Sequence, residues 1–369
     1  MKLGITDFFS DVSNFFKSGS VLGVDIGTVS VKIAELSEKR GKLRLENYGI
    51  LETKNYLSLP NQVIHTSALK IVEKDAIGLL KIVLREMRPK TKIALASLPS
   101  FAVFMTTLDM PLLSKEETAK AIGFQASRYI PLPINMVSID WFKIEEFQNA
   151  RGERGQRIIL VGIPNEIIKK YRYIFGTLGL KLMTLEVESM ALIRALAFQD
   201  KTVTLIVDIG AESTNVAVSE NGALKYNGET DYGGVYLTQA LSRGLGVSVY
   251  RAEELKRRRG LLGEGGEFEL STLILPFLDV ILQEIRYVKD TYERRFEKKV
   301  NRLMFAGGGA KLLGIEKYFS EQLGLPVIPS AALQGIERPV ELEPMVKDLN
   351  KSLAVAIGLA RKYFISNNK

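Results

Sequence analysis

The strongest constraint on the fold of this chain is a short phrase that it contains twice. Residues 21–30 read VLGVDIGTVS, and residues 205–214, about 180 positions later, read LIVDIGAEST. Each copy is an apolar strand that ends on an aspartate and then turns through a glycine. Each copy also continues into a second strand, helices and further strands. The sequence therefore predicts a duplicated α/β chain whose two halves face each other across a ligand-binding cleft.

The two repeated turns have the composition of an anion site. Glycine removes the side chain that would keep an anion away from backbone N–H groups. A carboxylate beside such a turn suits a hydrated Mg²⁺ that neutralises phosphate, so Asp25 and Asp208 are candidate metal-site residues that act through water. A third segment, AGGGAKLLGI at 306–315, places three glycines between a strand and a helix. Taken singly, each segment is also compatible with an ordinary turn.

The composition limits the class of protein. The 369 residues are 46% hydrophobic, include no cysteine and carry a net charge of +8. The missing cysteines exclude disulfides, thiol catalysis and cysteine-based metal sites. The positive charge suits an anionic partner such as a nucleotide or a membrane surface. Its densest run, KRRR at 256–259, is nevertheless expected to form a solvated helix face, and the sequence has no nucleic-acid-binding motif.

The ends and the middle of the chain add local expectations. Residues 1–20 lack the features of a signal peptide and no stretch reads as a membrane span, so a cytoplasmic location is expected. Apolar residues in this segment have helix-like spacing, which leaves docking on the fold, a membrane or a partner as open roles. Residues 93–113 are expected to form a pair of strands or one long bent strand. Ser114 and Glu117 form a capping box, so a helix should begin there.

Five segments together resemble the actin, DnaK-chaperone and sugar-kinase superfamily. They are GVDIGTVSVKIAEL, LEVESMALIRAL, LIVDIGAESTNVAV, FAGGGAKLLGI and SLAVAIGLA. The resemblance implies an actin-like (duplicated, ribonuclease H-like) two-domain α/β fold, with a small inserted α+β subdomain and Mg·ATP in the cleft. Glu188 is a catalytic candidate that would orient water, although it also simply begins a helix. The candidate cofactor-binding residues are Gly27, Thr28, Val29, Ser30, Lys32, Gly210, Ala211, Glu212, Ser213, Thr214, Gly233, Gly234, Gly307, Gly308, Gly309 and Lys311.

The stretch KEETAKAIGFQASRYIPLPINMVSIDW resembles the signature of the type IV pilus assembly protein PilM family. That resemblance implies a cytoplasmic adaptor at the inner face of the bacterial inner membrane. It would bind the short cytoplasmic N-terminal segment of PilN and link the PilN–PilO complex to the pilus machinery. Contact with the motor ATPase and self-association stay open. The residues expected to meet the PilN segment are Phe101, Phe104, Ile122, Tyr129, Ile130 and Trp141.

The resemblance also implies a division of the chain. Residues 1–20 would form an N-terminal amphipathic segment and 95–163 the inserted subdomain. The first actin-like subdomain would comprise 21–94, 164–200 and 340–369, the second 201–245 and 285–339, and a smaller helical subdomain 246–284.

Two other functions stay open. One is a polymerising membrane scaffold like the related cell-division protein FtsA. FtsA-like chains usually end in an amphipathic membrane helix after a linker, whereas this chain stops soon after SLAVAIGLA, which favours the PilM family. The other is an actin-fold kinase or ATPase. At most slow ATP hydrolysis is expected, and binding and scaffolding are favoured.

Overall fold

The repeated phrase forms the same hairpin in two different sheets. The computed structural model describes residues 19–53, 73–148, 151–262 and 268–367; most of the predicted N-terminal segment lies outside them. The strands are β1 Ser20–Ile26, β2 Ser30–Lys39, β3 Lys42–Glu52, β4 Ile93–Leu98, β5 Phe104–Pro111, β6 Val137–Gln148, β7 Arg154–Pro164, β8 Lys181–Val187, β9 Thr204–Ile209, β10 Thr214–Glu220, β11 Ala223–Thr230, β12 Arg302–Ala306 and β13 Ile336–Glu337.

Helices cover the sheets and connect the parallel strands. They are α1 Glu73–Met87, α2 Lys115–Gln125, α3 Asn165–Thr177, α4 Glu188–Leu196, α5 Gly234–Leu245, α6 Val249–Arg259, α7 Phe268–Phe296, α8 Ile315–Leu323, α9 Val346–Ser352 and α10 Ala354–Asn367. Helix α7 runs through residue 284, where the sequence placed a subdomain boundary. Among the described residues, no helix combines the length and the apolar character that crossing a bilayer requires.

Five strands of the first half and the short β13 near the C-terminus form a six-stranded sheet, and strands of the second half form a four-stranded one. Their strand orders are β13-β3-β2-β1-β4-β8 and β11-β10-β9-β12. In both, the repeated strand pairs antiparallel with the strand that follows it and parallel with a later strand on its other side. Asp25 lies opposite Lys32, and Asp208 lies opposite Asn215 in the equivalent register. The predicted duplication is therefore real at the level of strand pairing.

The segment between β4 and α3 forms a separate three-stranded sheet, β5-β7-β6, which we call the inserted sheet. Residues 93–113 accordingly form two strands in two different sheets, joined by a short 3₁₀ turn at Ser100–Ala102. The predicted capping box is confirmed: the Ser114 Oγ accepts the Glu117 amide, and the Glu117 carboxylate accepts the Ser114 amide. Helix α2 thus begins where the sequence predicted.

Helix α10 packs so closely on its neighbours that only glycine fits at two contacts. A Cβ added at Gly23 on β1 would lie 1.8 Å from the Ala356 carbonyl oxygen of α10. A Cβ added at Gly358 on α10 would lie 1.9 Å from the Ala191 carbonyl oxygen of α4. The small residues of SLAVAIGLA therefore let the backbone of α10 pack directly against both β1 and α4. Both of these elements also reach the cleft.

The contacts of Gly358 predict opposite effects of the same substitution at two helix positions. Alanine is favoured over glycine in a helix, so Gly78→Ala on α1, which meets no atom within 4 Å, should raise the free energy of unfolding by up to about 1 kcal/mol. Gly358→Ala should lower it by about 2 kcal/mol because backbone atoms must move apart. Urea unfolding of both variants measures this. Equal stabilisation by both substitutions would contradict the close packing.

Candidate functional site

The two repeated turns face one another across the predicted cleft. In each turn the glycine amide donates to the carbonyl of the serine three residues later: Gly27 to Ser30 and Gly210 to Ser213, both at 2.9 Å. A Cβ on Gly210 would lie 2.9 Å from the Ser213 oxygen, so the turn is closed too tightly for a larger residue. Residues 27–30 and 210–213 line the same cavity, whose volume is about 420 Å³. That volume suits a small-molecule ligand.

Three carboxylates and one lysine form the floor of this cleft. Both oxygens of the buried Asp25 are used: Lys32 Nζ lies 2.9 Å from Oδ2, and the Ser97 hydroxyl donates to Oδ1 at 2.8 Å. Asp208 and Glu188 line the cavity beside them. Burial lowers the pKa of Lys32, but Asp25 and Asp208 outweigh this effect and raise it to about 12. Lys32 is therefore firmly charged.

One lysine does not balance the floor. Burial raises the pKa of Asp208 to about 6; Lys32 opposes this shift and Asp25 adds to it. Burial, Asp25 and Asp208 together raise the pKa of Glu188 well above its usual value. The site therefore holds an excess of crowded negative charge that a cation would relieve.

These residues fit a hydrated Mg²⁺ better than a directly ligated one. In the part of the chain that the structure describes, no three His, Cys, Asp or Glu side chains gather as ligands of one metal ion. Mg²⁺ keeps several of its waters and binds through one or two carboxylates together with phosphate oxygens. Asp208 and Asp25 would hold such an ion from two sides, and it would supply charge neutralisation for phosphates.

The three-glycine segment closes another side of the cleft. Strand β12 pairs with β9 so that Ala306 lies beside Asp208. The next residue, Gly307, has a φ of +83°, and a Cβ there would lie 2.3 Å from the Asp208 Oδ1. The backbone therefore runs directly against the carboxylate, which only glycine permits. Gly308, Gly309 and Lys311 also line the cavity.

Two predicted cofactor residues lie behind the lining. Thr214 is fully buried, and its hydroxyl donates to the Tyr232 carbonyl at 2.7 Å. Gly233 packs against the second turn, where a Cβ would lie 2.7 Å from the Ala211 carbonyl. The amides of Gly234 and Val235 then donate to Gly210 and Ala211. Both residues thus support the second turn from the side away from the cleft.

Helix α6 contributes cleft residues that the sequence did not indicate. Lys256 is largely shielded from solvent, lines the cavity and donates to the Gly234 carbonyl at 2.8 Å and to Thr238 at 2.7 Å. Glu253 pairs with it at 2.7 Å. The expectation of a solvated KRRR face is therefore wrong for Lys256, whereas Arg258 is exposed. The i, i+3 spacing of Glu253 and Lys256 on a short amphipathic helix was the available signal.

The predicted partner residues fall into three groups. Ile122 and Ile130 are buried in the core under the inserted sheet, and Phe104 and Trp141 pack half-buried against that core. Phe101 lines the cleft itself. Tyr129 is 46% exposed, and two apolar side chains that the sequence did not single out, Phe124 and Met136, are 84% and 58% exposed.

The raised pKa of Asp208 predicts that this site lowers the stability of the protein in a pH-dependent way. Between its usual pKa of 3.8 and about 6, the native protein holds a proton that the unfolded chain has lost, so stability falls as the pH rises through this window. Asp208→Asn removes the titrating carboxyl group and with it this loss of stability. We expect it to raise the free energy of unfolding by up to about 3 kcal/mol near neutral pH, with the gain vanishing below about pH 4.

Thermal unfolding between acid and neutral pH, without added metal or nucleotide, measures this effect. The matched control is Asp348→Asn at the exposed rim of the same cleft. A gain that persists in acid, or an equal gain in the control, would contradict the explanation.

Comparison with known proteins agrees with this architecture. The cell-division protein FtsA of Streptococcus pneumoniae serotype 2 is 22% identical over 369 residues, spanning 88% of this chain and 78% of the relative. FtsA of Enterococcus hirae is also 22% identical, with 88% and 81% covered. The structure of MreB5 of Spiroplasma citri bound to AMPPNP, 14% identical, has a TM-score of 0.54 over 96% of this chain and all of that one.

A solved PilM-PilN type IV pilus biogenesis complex is more similar in structure. The chain compared there is 22% identical to this one and has a TM-score of 0.76, with 93% of this chain and 98% of that chain covered. The fold is therefore actin-like. The family described as type IV pilus assembly protein PilM matches residues 23–364. Since that match spans nearly the whole sequence, the chain belongs to the PilM family of type IV pilus assembly proteins.

Proposed function

We propose that this PilM-family protein is an adaptor that binds Mg·ATP in the cleft and the cytoplasmic N-terminal segment of a PilN-type membrane protein on its inserted subdomain. The observation that carries the proposal is the pair of matching turns, 27–30 and 210–213, lining one cavity over three carboxylates. Family membership supplies the role in pilus assembly.

The geometry supports a polyphosphate between the turns. Both turns have glycine and short hydroxyl side chains, so phosphate oxygens can approach the backbone. Lys32 brings a firmly charged ammonium group to the floor. Asp25 and Asp208 would hold the hydrated metal ion. The adenosine would then extend toward 307–309 on one side and toward Glu253 and Lys256 on the other, all of which line the same cavity.

The inserted subdomain offers the best support for the partner site. Ile122 and Ile130 form its core, so they would shape a binding surface rather than contact the partner. Tyr129, Phe124 and Met136 are exposed beside that core and are available as apolar contacts. The PilM-PilN complex shows that a protein of this fold assembles with PilN. Contact with the motor ATPase and a position at the inner membrane would follow through that partner.

Slow ATP hydrolysis is a second candidate function, which Glu188 favours. It lines the cleft beside Asp25 and Asp208, and burial raises its pKa above the usual range of a carboxyl group, which makes its carboxylate a stronger proton acceptor. An FtsA-like polymerising scaffold is supported only by the shared fold. Filaments on lipid in the absence of a PilN-type partner would favour it.

Calorimetric titration with a peptide copying the cytoplasmic segment of the cognate PilN-type protein tests the adaptor function. Tyr129→Ser should weaken peptide binding about tenfold, because the side chain is an exposed apolar contact. It should leave the melting temperature unchanged. Tyr173→Ser, at a tyrosine that is 60% exposed on α3, is the matched control and should bind like the wild type.

The same protein is titrated with ATP in Mg²⁺ and in EDTA. Metal-dependent ATP binding and peptide binding together support the proposal. Absence of peptide binding with and without Mg·ATP would overturn the adaptor function, and absence of nucleotide binding would overturn the assignment of the cleft.

A further inference from the structure

The inserted sheet belongs to the first half by chain connectivity but is fastened to the second half by side chains. It leaves the first half between β4 and β5 and rejoins it where β7 runs directly into α3. Its other attachments come from the end of α7 and from β11. These attachments centre on Arg157, Asp109 and Arg295.

Arg157 on β7 is the centre of this cluster. Its side chain is only 6% exposed and donates to both oxygens of Asp109, at 2.6 and 3.0 Å, and to Glu145 at 2.5 Å. The same guanidinium group donates to the Arg295 carbonyl on α7 at 3.0 Å and lies 4.5 Å from the centre of the Phe296 ring. A planar, bidentate donor of this kind fixes geometry as well as charge.

Arg295 completes the connection from the opposite side. Its guanidinium group donates to the Thr107 carbonyl of β5 at 3.1 Å and to Asp109 Oδ1 at 3.0 Å. The two arginines thus share one aspartate, with Glu145 as the second anion, so the four charges balance. Nearby, the buried Lys225 on β11 donates to the Ile144 carbonyl of β6 at 2.5 Å. Two elements of the second half therefore hold all three strands of the inserted sheet.

A second polar chain joins the base of the inserted sheet to the cleft. The Asn215 amide of β10 donates to the Ser100 hydroxyl in the turn before β5. The Ser189 hydroxyl, next to Glu188, lies 3.1 Å from the Asn215 side-chain oxygen and 2.6 Å from that of Asn227. Asn215 and Phe101 also line the cleft. A ligand in the cleft would therefore touch the base of the inserted sheet directly.

We propose that Arg157, Asp109 and Arg295 form a latch that fixes the inserted sheet to the second half of the molecule, so that movement of the two halves around a cleft ligand is transmitted to the partner-binding subdomain. The transmission rests on the proposed function, whereas the latch itself does not. Without the latch, the sheet would lose its charged attachment to α7 and keep only the Lys225 and Asn215 hydrogen bonds to the second half, so less of the movement of the halves would reach it.

Spin-label distance measurements test the latch directly, since the absence of cysteine allows labels at chosen sites. Lys120→Cys on α2 and Glu321→Cys on α8, both exposed, report the separation of the inserted subdomain and the second half. We expect one narrow distance distribution in the otherwise unchanged protein. Arg295→Gln and Asp109→Asn should each broaden it or shift it to longer distances. Arg294→Gln, at the exposed neighbour on α7, is the matched control.

The transmission is measured as the ratio of peptide affinities with and without Mg·AMPPNP. We expect a ratio of about fivefold or more in the wild type, falling toward one in Arg295→Gln, while each ligand alone still binds. An unchanged distance distribution in both latch variants overturns the latch. A ratio near one in the wild type, with both ligands bound, overturns the transmission. If AMPPNP does not bind, the proposed function fails, but the distance distributions still decide the latch.

Discussion

The crowding of negative charge at the floor of the cleft is the constraint on which the rest of the structure depends. Duplicating one hairpin brings two aspartates into one space, and Glu188 joins them. A single lysine is shared among the three, and burial raises the pKa of Asp208 to about 6. Such an arrangement destabilises the empty protein and favours a ligand that brings a cation. This charge pattern supports the proposed role of the site as a phosphate and metal clamp.

The backbone around the cleft is packed very closely. Helix α10 lies against β1 and α4 at positions where only glycine fits, and Gly307 lies against the carboxylate of Asp208. These contacts set the floor of the cleft from behind and from the side. The inserted sheet then spans the junction of the two halves, with its base at the cleft and its far end against α7. The cleft and the inserted sheet are consequently parts of one connected framework.

The sequence was sufficient for features that depend on local chemistry. The hairpins, the three-glycine turn and the Ser114 capping box each have a short-range physical cause, and the actin-like fold was implied by the family resemblance of the segments that contain the two hairpins and the three-glycine turn. Features that depend on long-range contact escaped prediction. Lys256 is largely shielded from solvent because α6 packs at the cleft, although the run of basic residues that contains it predicts a solvated helix face. Ile122 and Ile130 read as partner contacts because apolar periodicity cannot distinguish a small core from an interface. Arg157 and Arg295 gave no signal because their partners lie far away in the sequence.

Hydrogen exchange of the whole chain with and without Mg·ATP tests whether both repeated turns bind the same nucleotide, because it measures the protection of each turn separately. If the two turns clamp one nucleotide, nucleotide slows exchange at the amides of 27–30, 210–213 and 307–309 together, at one common nucleotide concentration, and EDTA removes most of the effect. Protection of only one of the two repeated turns would contradict a shared clamp. So would equal protection in the absence of a divalent metal ion.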